Sequence, residues 1–205
     1  MVRSRKHTHA FTLVELLVSV GIFTIMTTLV IAKYGNFNNG VLLTNAAYDV
    51  ALAVRTAQTY GLSVRNADVT SGQFKSGYGV HFSDYQGSWN DDLNENQVIV
   101  FFADIPPSEG GGTEGVYDSE DPVVSTYVLK QGIVVRGFCF DADEETCSPE
   151  GDTLDVVFKR PNPDAVITHD SDVASDSYVE IVLGSTDGSV RSVIVRSNGQ
   201  IAVKN

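Results

Sequence analysis

Positive charge is scarce in this 205-residue chain: 14 Lys and Arg stand against 26 Asp and Glu, a formal net charge of −12. The first ten residues carry Arg3, Arg5 and Lys6 and no acid, so the remainder holds a formal −15. Such a body is soluble and self-repelling, and it argues against broad phosphate-backbone binding. Histidine is equally sparse. His7 and His9 fall in the basic leader, and His81 and His169 lie far apart in sequence. The chain has no HExxH, no GxSxG, no phosphate-binding glycine loop and no dinucleotide fingerprint. Gly110–Gly112 lie in a polar stretch without the lysine and strand–helix setting of a phosphate cradle. These absences remove the common hydrolase, metalloprotease and nucleotide-binding readings, and no enzymatic activity is expected. The two cysteines, Cys139 and Cys147, have neither CxxC nor zinc spacing. Two readings stand for them: a local disulfide, if the domain lies outside the cytoplasm, or two unrelated thiols.

One long apolar run is present. Phe11 to Ala32 holds a single charged residue, Glu15. A helix of that length, at about 1.5 Å per residue, spans a bilayer core. The basic residues before it predict a cytoplasmic N-terminus and a body on the far side. A cleaved signal ending at Ala32 would release a secreted product, but the run is long for one and contains an acid. A plain anchor leaves Glu15 unexplained. A carboxylate in hydrocarbon costs roughly 2.5–3.5 kcal/mol on insertion scales. It either snorkels to the headgroups or finds a partner.

The stretch "A-FTLVELLVSVGIF" resembles the class III signal of type IV pilins and type II secretion pseudopilins. The resemblance implies cleavage by a prepilin peptidase between Ala10 and Phe11, and N-methylation of Phe11. It also implies that Glu15 neutralises the N-terminal amine of a neighbouring subunit. The family has Gly before the cut; this chain has Ala10. Implied partners are other pilin or pseudopilin subunits, the peptidase, a filament assembly platform and the membrane, with nucleic acid not expected. The implied location is the cytoplasmic membrane in a single pass, then a periplasmic or extracellular filament.

Lys33–Gly40, "KYGNFNNG", is rich in Gly and Asn and is expected to bend, melt or break the helix. Helical periodicity then resumes. Leu43, Ala46, Ala47, Val50, Val54 and Ala57 form one apolar face, Asp49 and Arg55 fall off it, and Gly61 suits a C-terminal stop. From residue 77 onward, runs rich in Val, Ile, Phe and Tyr predict strands. "SNG" at Ser197–Gly199 predicts a hairpin. "PPSEGGGTEG" and "RPNPDA" predict surface loops.

The expected fold is α+β: a long N-terminal helix, transmembrane then amphipathic, packed on a mostly antiparallel pilin-like sheet. The expected divisions are a leader (1–10), a transmembrane helix (11–34), an amphipathic helix (35–62) and a β-rich domain (63–205). "RTAQTYGLSVR" and "VRSVIVRSNGQIAV" further resemble the H-type minor pseudopilins. Some members of the wider group hold calcium near the chain end. The acidic stretches Asp141–Asp152 and His169–Asp176 offer oxygen ligands, but both lack the EF-hand pattern, and no cofactor or metal ligand is assigned. Two alternatives remain, a membrane-anchored binding module and a DNA-binding minor pilin using Arg191, Arg196 and Lys204.

Overall fold

The structure, a computed structural model, describes residues 11–63, 77–140, 147–148, 151–170, 172–173 and 178–204. It divides into two compact units between Asn38 and Asn39.

Helix α1 is assigned from Leu13 to Leu62. In the first unit it is apolar all round, and its residues up to Ile31 are exposed apart from the half-buried Gly21. The helical assignment continues through Lys33–Gly40, so this segment neither melts nor breaks the helix. Gly and Asn disfavour helix by up to about 1 kcal/mol each. They are nevertheless carried because elongation from an existing helix avoids the nucleation cost.

In the second unit the remaining part of α1 meets twelve strands among the described residues. They are β1 (Gly77–Ser83), β2 (Ser88–Asn90), β3 (Leu93–Asn94), β4 (Val98–Asp104), β5 (Val123–Val128) and β6 (Val134–Cys139). The chain continues with β7 (Thr153–Phe158), β8 (Ala165–His169), β9 (Asp172–Val173), β10 (Tyr178–Gly184), β11 (Val190–Arg196) and β12 (Ile201–Lys204). A six-stranded sheet has the order β5-β4-β1-β7-β8-β9, a four-stranded sheet the order β12-β11-β10-β6, and β2 and β3 form a small ribbon. Every described pairing is antiparallel. The fold is therefore α+β, a helix packed on antiparallel sheets.

The predicted stripe Leu43, Ala46, Ala47, Val50, Val54 and Ala57 is buried in full, while Asp49 and Arg55 are exposed. It shares one core with Val80 and Phe82 of β1, Phe101 of β4, Val156 of β7 and Ile181 of β10. Each fully buried Leu or Val contributes about 1.5–3 kcal/mol of transfer free energy. Strand β10 buries Val179, Ile181 and Leu183 in alternation, the period-two pattern of a half-covered strand. At the helix end, Tyr60 packs edge-on to Tyr78 and Phe101, with ring centres 5.6 and 5.2 Å away.

Gly61 does not stop the helix, which runs one residue further. A Cβ there would lie 2.3 Å from the Phe158 carbonyl oxygen, so glycine is needed for close approach of helix to β7. The Ser197–Gly199 turn joins β11 to β12 as expected, with Gly199 at φ 80°. Gln58 Nε2 donates to the carbonyls of Gly199, at 2.9 Å, and Pro163, at 3.3 Å. It thereby ties the helix to that turn and to the β7–β8 connection.

One further sequence expectation needs correction. Ala165 closes the stretch expected as a loop, yet it opens β8, which pairs with β7 through Val156–Ile167 and its neighbours. The glycine-rich stretch Pro106–Gly115 is a mostly exposed loop, as expected, and the chain turns inward from Gly115. Tyr117 lies against Phe102 and His81, with ring centres 5.1 and 4.9 Å away, and Gly115 donates to Asp104 at 3.2 Å. The loop thus covers the sheet face turned away from α1, which explains why all seven residues of β4 are buried.

This covering loop carries acids with little solvent. Burial pushes the Asp121 carboxyl up to about 6, against the Ile105 N–H it accepts at 3.0 Å, and Asp118 and Asp104 add to the rise. Burial likewise raises Asp104, partly offset by Lys159, whose Nζ is 3.2 Å away.

Gly61→Ala is expected to destabilise the fold by about 1–3 kcal/mol through overpacking, read as a lowered thermal midpoint of the full chain in detergent. Asp121 has a folded pKa above its unfolded one, so its contribution favours folding at low pH and is lost as pH rises from about 4 to about 6. Asp121→Asn keeps an oxygen for Ile105 and should raise the thermal midpoint more at about pH 7.5 than at about pH 4.

Candidate processing and assembly segment

Phe11 and Thr12 precede α1 and are exposed. Thr12 caps the helix. Its Oγ1 accepts the Glu15 N–H at 3.2 Å and its carbonyl accepts the Leu16 N–H at 3.1 Å. Thr12 and Glu15 have the T-x-x-E spacing of a helix start, which puts the Glu15 carboxylate in the first turn. The positive end of the helix dipole favours an anion there by about 0.3–1 kcal/mol. The T-x-x-E spacing is legible in the sequence, although only Glu15 is singled out there, as a group that snorkels or pairs with a neighbouring amine, and Thr12 is not. Ala10 and the rest of the expected leader lie outside the described residues.

From Leu13 to Ile31 the helix is long and apolar enough to cross a membrane, with a mean hydropathy of 2.2. A signal sequence near an N-terminus meets the same description. The hydroxyls in this span need nothing from solvent. Ser19, Thr24, Thr27 and Thr28 donate to the carbonyls of Glu15, Val20, Phe23 and Thr24, at 2.7, 3.1, 2.7 and 2.8 Å. This back-bonding is how hydroxyls are tolerated in a medium without water. Glu15 differs: its carboxylate has no hydrogen-bond or ion-pair partner among the described residues.

Cys139 and Cys147 form a disulfide across eight positions of sequence. The residues around it return beside the end of β6. Ser148 N–H donates to the Phe138 carbonyl at 2.6 Å, and Phe138 N–H donates to Ser148 Oγ at 3.1 Å. Of the acidic stretches considered for calcium, residues 141–146, 149–150, 171 and 174–176 lie outside the described ones. Among the described residues no three His, Cys, Asp or Glu side chains gather as a metal site.

The two body histidines are not brought together. His81 Nδ1 is 2.8 Å from Asp155 of β7, and His169 Nε2 is 2.9 Å from Asp152. The basic residues of the terminal hairpin are engaged within the sheet. Lys204 Nζ lies 3.0 and 3.1 Å from the Glu180 oxygens, and Arg196 stands over the Tyr178 ring at 5.5 Å. Arg191 Nη1 donates to the Val190 carbonyl at 2.9 Å.

Residues 5–31 match the family model of the prokaryotic N-terminal methylation motif. The match takes in part of the basic N-terminal stretch, Ala10–Phe11, Glu15 and most of the apolar run. Neither a curated protein nor a solved structure matches the chain.

Closing so short a loop covalently is worth about 2–3 kcal/mol against the unfolded chain. A Cys139→Ser, Cys147→Ser double variant should lose about that much stability in denaturant unfolding, and dithiothreitol should then have no further effect on it.

Proposed function

We propose that the chain is a structural subunit of a type IV pilin-like filament, of the H-type minor pseudopilin kind, whose activity is assembly. The observation that carries this reading is Glu15: a carboxylate without a partner among the described residues, in the first turn of an apolar helix whose hydroxyls bond its own backbone, inside a methylation motif. Prepilin peptidase cuts before Phe11, which lies outside the helix in exposed chain, and the new amine is methylated. The basic leader is held in the cytoplasm, and the body is displayed on the other side of the membrane. The Cys139–Cys147 disulfide suits that compartment.

In lipid, the helix from Leu13 to Ile31 serves as the anchor. In a filament, the same surface packs against other subunits, and Glu15 meets the Phe11 amine of a neighbour. A desolvated carboxylate is stable only when paired, so sliding one subunit along another is favourable only where the two charges meet. The pair therefore sets register. The partners are pilin or pseudopilin subunits, the peptidase and an assembly platform.

Mass spectrometry of the native protein should give an N-terminus at methylated Phe11; a chain beginning at Met1 or Lys33 would overturn prepilin processing. Glu15→Ala should leave cleavage intact while sheared filaments containing the subunit fall sharply. Normal filament yield from that variant would refute the registry role.

A further inference from the structure

Between β1 and β4 the chain leaves the six-stranded sheet, forms the β2–β3 ribbon and returns through a 3₁₀ turn, Glu95–Gln97. With β6 this segment encloses a half-open groove of about 470 Å³, within the roughly 300–1,000 Å³ of small-ligand sites. Its polar lining is Asp84, Gln86, Asn94, Asn96, Gln97 and Arg136, beside two β6 valines.

Much of this lining is fixed in advance. Asp84 Oδ1 accepts the Gly151 and Asp152 N–H groups, each at 2.7 Å. Gln97 Oε1 accepts the Asn94 N–H at 3.1 Å, and Arg136 Nη2 donates to the Ser185 carbonyl at 3.0 Å. Asn96 is 5% exposed, yet its side-chain oxygen has no partner among the described residues. A buried acceptor left without a donor costs about 1–3 kcal/mol. Asn96 lines the groove, so a bound donor that reached this oxygen would satisfy it.

The chemistry of the lining selects the ligand. Four carboxamides present donors and acceptors together, and Asp84 and Arg136 balance in charge. An anion would meet Asp84 and the field of a strongly acidic body, and the described residues hold no cluster of metal ligands. A neutral molecule dense in hydroxyls fits, since each hydroxyl both donates and accepts. The same short segment carries Tyr85 and Trp89, the one tryptophan of the chain, 53% and 40% exposed. Exposed amphipathic rings of this kind give a stacking surface for the C–H face of a sugar. We propose that the groove between the Asp84–Gln97 segment and β6 binds a neutral saccharide.

The full chain, in a zwitterionic detergent free of sugar, would be titrated with D-glucose, D-galactose, D-mannose, N-acetyl-D-glucosamine and acetyl-trialanine amide, with binding read by saturation-transfer NMR. At least one sugar should bind saturably, and Asn96→Ala should weaken it by about tenfold. Should Asn96→Ala fail to fold, Gln86→Ala at the exposed rim serves in its place, with the same loss expected. No saturable sugar binding, sugar binding unchanged by a folded variant, or binding of the peptide alone would overturn the proposal.

Discussion

Two sheets that share no strand are held together by a stripe of six small apolar side chains on one helix. Leu43, Ala46, Ala47, Val50, Val54 and Ala57 give each sheet a common surface to cover, and most other features follow from how closely it is covered. Alanines at three of the six positions let the strands approach the helix. The approach is tightest at Gly61, where a backbone carbonyl takes the space of a side chain. Gln58 then uses its amide to gather the two sheets at one corner, through Gly199 on one side and Pro163 on the other. A covered inner face leaves the outer face of the six-stranded sheet to be closed separately, and the loop carrying Gly115 and Tyr117 closes it.

The first unit follows the opposite rule. From Phe11 to Ile31 the described residues are exposed apart from the half-buried Gly21, and the helix satisfies its own hydroxyls. On the proposed function, burial there is deferred to surroundings outside the chain, first lipid and then other subunits. On the same proposed function, the single helix thus has one surface that folds the body and another that serves assembly. The Gly- and Asn-rich stretch between them keeps its helical backbone.

What could be read from sequence alone divides along the range of the interactions involved. The helix stripe, the Val- and Ile-rich strands and the Ser197–Gly199 hairpin are written in local periodicity and turn chemistry, and all appear where expected. Strand β8 was hidden because only five residues follow a proline-rich turn, and pairing with β7 rather than local pattern makes them a strand. Gly61 read as a stop because glycine often ends helices; its actual constraint comes from Phe158, nearly a hundred positions away. The glycine-rich loop is exposed as expected, but its cover over the sheet is not legible in sequence, because Tyr117 and Asp104 give it contacts only in the fold. The amide-lined groove was invisible for the same reason, since Arg136 joins the other polar residues only through the arrangement of β6. At the N-terminus, by contrast, the motif itself carries the information, and the fold adds only Thr12 as the cap that puts Glu15 in the first turn.

The four back-bonded hydroxyls have a consequence for movement. A segment whose polar groups already bond to its own backbone exchanges no hydrogen bonds when its surroundings change from one apolar medium to another. Lipid tails and packed side chains then differ little in solvation for Leu13–Ile31, and the balance between them falls on the ionisable group at Glu15. On the proposed function, leaving a bilayer thus becomes an electrostatic decision made by one side chain, and an otherwise greasy helix is free to travel wherever that carboxylate is better served.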